Sequence, residues 1–163
     1  MPVPGSKPVI NTLWRKFRKI LALDRGKKLL LLEACLYLAW GRMFKVFPFS
    51  KVSSSLGKPM EETSWASDSS QTALLHNISY SVHLMSRYVW WESMCLVKAI
   101  AIMKMLQRRR IDSTLYLGTS KDVSGKLIAH AWLRSGSFYL AGQEEMNQFI
   151  VVGIFGKFHN PKK

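Results

Sequence analysis

Apolar residues recur at helical spacing through the first two-thirds of the chain and at strand spacing in the last third. Residues 9–22 (VINTLWRKFRKILA) place Leu13, Trp14, Phe17, Ile20 and Leu21 on one stripe, with Arg15, Lys16, Arg18 and Lys19 between them. Asn11 is the expected cap of that helix. Asp24 is the expected cap of a longer helix over about 25–46, which Pro48 ends. Its centre, LLLLEACLYLAW, runs for 12 residues from Leu29 to Trp40 and contains Glu33. A spanning helix needs about 20 apolar residues, so this one is expected to be buried or interfacial. Residues 50–70 are rich in Ser, Gly, Lys and Glu and read as a linker, with a short helical turn at Phe49–Leu56.

Two more helical stripes follow. Leu74, Leu75, Ile78, Val82 and Met85 predict a helix over 71–89. Leu96, Ala99, Ile100, Met103 and Leu106 predict another over 93–109, with Arg108, Arg109 and Arg110 at the negative end of its dipole. Beyond residue 110 the pattern shortens. STLYLG at 113–118 predicts a strand, SKDVSGK at 120–126 a turn, and LIAHAWLR at 127–134 a central strand apolar on both faces. Ser135-Gly136 turns into a strand over 138–141, and 149–155 forms the last. Helices followed by an antiparallel sheet are the α+β arrangement.

Charge divides the chain where periodicity does not. Residues 1–60 hold 12 Lys/Arg against Asp24 and Glu33; residues 61–163 hold 12 against eight acids. The expected organisation is therefore a basic helical N-terminal extension over 1–60 and a core over 61–163. A basic surface attracts nucleic acid, anionic lipid or an acidic protein, and charge alone does not choose among them. A non-enzymatic module binding nucleic acid or membrane thus stands as the alternative to an enzyme. The 48% apolar content and 19 aromatic residues exclude a disordered or low-complexity chain. Two cysteines exclude a disulfide scaffold. The opening MPVPGSKPVI has no basic segment leading into an apolar run, which predicts a cytoplasmic protein.

The candidate chemistry lies in the last two-thirds. Cys95 falls at a helix start, where unpaired N–H groups and the helix dipole favour the nucleophilic thiolate. Cys35, inside the leucine-rich helix, reads as packing. His130 stands mid-strand between two alanines. A cysteine at a helix start with a histidine on a later strand follows the order of a cysteine–histidine hydrolase. His76 and His83, seven residues apart, share a helix face and read as packing or surface. The ten glycines never fall at phosphate-loop or dinucleotide spacing, and no CxxC or HExxH occurs. No cofactor or metal is expected.

The segments WESMCLVKAIAIMKMLQRRRI, STLYLG and AHAWLRSGSFYL together resemble the protease that removes leader peptides in lasso peptide biosynthesis, a family with a transglutaminase-like core. The motif elements are Trp91, Cys95-Leu96-Val97-Lys98-Ala99, Arg108 to Arg110, Gly118, and Ala129-His130-Ala131-Trp132. The resemblance is close over roughly 88–156 and only general for the basic N-terminal helices. It implies a catalytic Cys95 and His130, with Trp91 and Trp132 beside the oxyanion or substrate. It also implies a precursor peptide as substrate, a separate leader-recognition protein (a RiPP recognition element) as partner, and a macrolactam-forming cyclase acting next. No nucleic acid is expected on this reading, and a peripheral membrane contact of the basic helices stays open. The family often completes its triad with an Asp, and the aligned position here is Gly142. Among Gln143, Glu144 and Asn147, Glu144 is the expected substitute; a Cys–His dyad or a backbone carbonyl is the alternative. Acyl transfer to an amine, a true transglutaminase reaction, uses the same apparatus.

Overall fold

The computed structural model describes residues 24–44, 46–90 and 94–159. The helix expected over 9–22, with its cap at Asn11, and Trp91 lie outside them. Helix α1 spans Arg25–Met43, and the Asp24 carboxylate accepts from the Gly26 N–H at 3.0 Å, which satisfies one orphan donor of the first turn. The helix stops at Met43, short of the expected end. Pro48 does not terminate it but caps α2, Phe49–Leu56. Its fixed φ suits the entry to a helix as well as the exit from one. Helix α3 is Thr72–Ser86 and α4 is Cys95–Arg108.

Five strands follow the order β1-β5-β2-β3-β4, every neighbouring pair antiparallel. They are β1 Lys58–Pro59, β2 Ser113–Lys121, β3 Leu127–Ser135, β4 Phe138–Ala141 and β5 Ile150–Lys157. The architecture is α+β: helices first, then an antiparallel sheet with the cysteine-bearing helix packed on it. Strand β1, only two residues long, lies inside the stretch expected to be a linker. Its pairing comes from the Gly156 and Phe155 backbone, which no local pattern announces.

One hydrophobic core joins α1, α2, α3 and α4 to one face of the sheet. It includes Ala34, Leu38 and Leu56 as well as Ile78, Val97, Ile100, Leu115 and Leu133. Each large side chain buried there contributes about 1.5–3 kcal/mol. The change in charge at residue 60 therefore does not coincide with a break in packing. Glu33, in the apolar run of α1, is buried against the end of α4. Arg109 donates to both its oxygens, at 2.9 and 2.6 Å, and these bonds raise the Arg109 pKa further. Among the described residues no helix is long and apolar enough to cross a membrane.

Strand β3 is buried on both faces only in its second half; Leu127 and Ile128 at its start are exposed. Alternation sends Ala131 and Leu133 to the helical core and Trp132 and Arg134 to the opposite face. Residues 62–65 cover that second face. Arg134 is fully buried and spends all its donors there: Nε on the Tyr116 hydroxyl at 2.8 Å, Nη1 on the carbonyls of Ser64 and Gly136, Nη2 on Glu62 at 2.9 Å and on the Thr63 carbonyl. Its guanidinium also lies 3.6 Å from the centre of the Trp65 ring. Burial pushes the Tyr116 pKa up to about 12, against the opposing pull of the Arg134 bond. The supposed linker is thus fastened to the sheet by one arginine.

Candidate active site

Cys95 is the first residue of α4, and its neighbour Met94 holds the N-cap position without a side-chain hydrogen bond to the helix. The N–H groups of the first turn therefore point past the thiol with no side-chain cap. Cys95 and His130 line one cavity of about 390 Å3, walled by Leu96 and Val97 of α4, Leu117 and Thr119 of β2, Ala129 and Ala131 of β3, and Val152 of β5. Both cysteines are free thiols. Cys35 is half-buried in α1.

The imidazole of His130 is held more tightly than the thiol. Alternation along β3 puts it on the Trp132 side of the sheet. It stacks on Trp132 at 5.9 Å between ring centres and on Phe149 at 4.9 Å. Trp132 is itself stacked on Tyr116 at 5.6 Å. Gly118, opposite His130 in register, leaves room for this stack: a Cβ there would stand 2.8 Å from the Trp132 ring and 2.9 Å from Phe149. Trp132 thus serves as a wall that fixes His130.

His130 Nε2 lies 2.9 Å from the Gly142 carbonyl oxygen. A carbonyl only accepts, so Nε2 carries the proton and Nδ1 keeps the lone pair. Nδ1 lies 3.9 Å from the Glu145 carboxylate, too far for a hydrogen bond, and the two form an ion pair only when the imidazole is protonated. Glu144, the expected orienting residue, makes no hydrogen bond or ion pair with His130. It lines a separate cavity with His76 and His83. There His83 donates through Nδ1 to the Ser79 carbonyl at 2.8 Å, and His76 lies edge-on to Phe138. Residues 143–145 form a turn, so adjacent side chains diverge, and a shift of one position moves the carboxylate to His130.

The main-chain contact depends on Gly142 being glycine. Its φ is +73°, and a Cβ there would overlap the Ala131 carbonyl oxygen and stand 3.0 Å from His130 Nε2. The place aligned with the family's Asp is thus taken by a backbone oxygen in contact with the imidazole. The signal for it was present in the sequence as the glycine itself. Phe149 and Glu145 carried no comparable signal. No hydrogen bond joins Cys95 Sγ to His130 in this state; the two reach the cavity from different sides of β3. Among the described residues no three His, Cys, Asp or Glu side chains gather to hold a metal ion.

The family model of the transglutaminase-like superfamily matches residues 36–152. The chain belongs to the transglutaminase-like superfamily. Neither the curated proteins nor the solved structures contain a match to it. The superfamily in general comprises cysteine proteases and acyltransferases, and the matched span includes Cys95, His130 and Gly142. It starts within α1, so α2 and the C-terminal part of α1 fall inside the family domain.

Proposed function

We propose that this transglutaminase-like protein is a cysteine peptidase that removes the leader from a lasso peptide precursor. The observation that carries the reading is a cysteine on the first residue of a helix sharing a cavity with a tautomer-fixed histidine, within the CLVKA and AHAW motifs. Cys95 Sγ attacks the carbonyl carbon of the amide joining leader to core, and the thiol proton passes to His130 Nδ1. The backbone N–H of Cys95 helps hold the oxyanion. Collapse breaks the C–N bond, and His130 returns the proton to the leaving amine. Water then hydrolyses the thioester that retains the leader. The freed core N-terminus is the group a cyclase joins to an acidic side chain.

Proton transfer needs Nδ1 to turn from Glu145 toward Sγ. Catalytic hydrogen bonds are often long in substrate-free enzymes and tighten in the complex. Gly142→Ala should therefore slow cleavage about 10²-fold, the cost of misplacing a catalytic group by about 1 Å. Glu145→Gln should slow it only a few-fold, since that side chain is 65% exposed. Glu144→Gln should have no effect. Turnover of the precursor by each variant, with circular dichroism as a fold control, checks all three.

Substrate delivery is assigned to a leader-binding partner, docked on the basic N-terminal segment. Tethering converts a weak encounter into an intramolecular one. Incubation with the precursor alone should give slow cleavage, and addition of the partner should accelerate it, with mass spectrometry showing a free core N-terminus. Charge reversal at Arg15, Lys16, Arg18 and Lys19 should remove the acceleration, and salt should weaken it. Incorporation of an added amine in place of water would instead assign a transglutaminase-type transfer. An intact precursor under all conditions would overturn both. Loss of vesicle binding with normal cleavage in the charge-reversed variant would make the basic face a membrane contact.

A further inference from the structure

Helix α4 begins at Cys95, and its cover over the sheet ends there. Beneath the helix lie Leu117, Ala131 and Leu133. The same sheet face continues past the helix start through Thr119 of β2, Ala129 and Leu127 of β3, and Ile150, the register partner of Thr119. Leu127 is 67% exposed and Ile150 76%, and they lie on the two strands that flank β2. Val152 adds to the strip. Leu117 pairs with Gly153 and Gly118 with Val151, so Val152 is the extra residue of a β-bulge. A bulge re-aims a side chain, and this one lines the thiol's cavity although Val152 is 61% exposed.

We infer that this strip, from Leu117 through Ala129 to Val152, binds an apolar side chain of the substrate peptide next to the scissile amide. The inference rests on the peptidase reading and adds the substrate class to it. The cavity holds the nucleophile, so whatever segment carries the reacting carbonyl must cross it. Apart from Thr119, His130 and the thiol its lining side chains are apolar, and no Lys, Arg, Asp or Glu among them would pair a carboxylate or ammonium that gave up its water there. At about 390 Å3 it lies within the usual range of ligand sites. A side chain that fills such a pocket is favoured over one that does not by about 10–200-fold.

The test uses the full chain and peptidyl chloromethyl ketones that alkylate Cys95, identical except for Leu, Ala, Asp or Lys next to the reactive carbon. Each labelling rate is divided by the same protein's rate with iodoacetamide, which needs no pocket. The Leu probe should exceed the Asp probe at least tenfold. Val152→Asp and Ala129→Phe, both at exposed positions, should bring that ratio close to one, and Val152→Asp should favour the Lys probe. Equal rates for Leu and Asp in the unmodified protein, or a preference unchanged in both variants, would overturn the inference. So would a Val152→Asp variant that changes only the oligomeric state, which would make the strip a self-contact. An apolar preference in a protein that leaves the precursor intact would uphold the pocket while the peptidase reading fell.

Discussion

Replacement of Cys95 by alanine is expected to abolish precursor cleavage while leaving the fold intact, because one small half-buried group is lost at a helix start. Cys35→Ala should keep full chemistry. His130→Ala should slow cleavage by about 10²–10⁴-fold, the contribution of a positioned general base. The double variant should be scarcely slower than the worse single one, since members of a catalytic unit act non-additively. The geometry adds a sharper expectation. Because no hydrogen bond joins Sγ to the imidazole in the free protein, His130→Ala should hardly change the rate at which a small reagent alkylates Cys95 without substrate. Mass-resolved labelling beside single-turnover cleavage separates the two effects. A His130→Ala protein with wild-type turnover would exclude His130 as the base, and near wild-type turnover of Cys95→Ala would end the peptidase reading.

The largest loss of stability is expected from Arg134→Ala. The change strips Glu62, the Tyr116 hydroxyl and three carbonyls of their donor. Each buried acceptor left without a donor costs about 1–3 kcal/mol. Tyr116→Phe, which removes one bond and leaves the others, should cost about 1 kcal/mol. Glu62→Gln should also be mild, since that carboxylate is partly in water. Urea titration reads all three. A further consequence separates this network from ordinary packing: without Arg134 the 62–65 segment loses its tie, so limited proteolysis should cut there first. An Arg134→Ala protein as stable as the parent would show that residues 62–65 are held by Trp65 and the Thr63–Thr114 hydroxyl pair alone.

The elements themselves were legible because their causes are local. A period of 3.6 in Leu96, Ala99, Ile100 and Met103 places a helix whatever lies elsewhere in the chain. The Asp24 cap acts over two residues, and the shift to strands after residue 110 shows in any short window. The same locality explains what was misjudged. Pro48 looks alike before and after a helix, so the helical turn at Phe49–Leu56 was legible while the proline was assigned to the end of α1 instead of the start of α2. The linker reading of 50–70 was correct about composition and silent about Arg134, which lies some 70 residues away and binds that stretch only after the sheet has formed.

For the site, the sequence by itself singled out the candidate residues: a thiol on the first turn of a helix, a histidine on a strand, and a glycine where the family resemblance leads one to expect a carboxylate. Only the tertiary structure decided how these meet. The left-handed backbone at Gly142 brings a carbonyl to Nε2, and the turn over 143–145 gives the nearer carboxylate to Glu145 instead of Glu144. The bulge at Val152 turns an apolar side chain toward Cys95, and the length of α4 fixes where the sheet becomes uncovered. The physical reason is one of range. Propensity, capping and periodicity act over a few residues and are written in the chain, whereas a hydrogen bond between residues 130 and 142, or a stack of His130 on Phe149, depends on the path of everything between them.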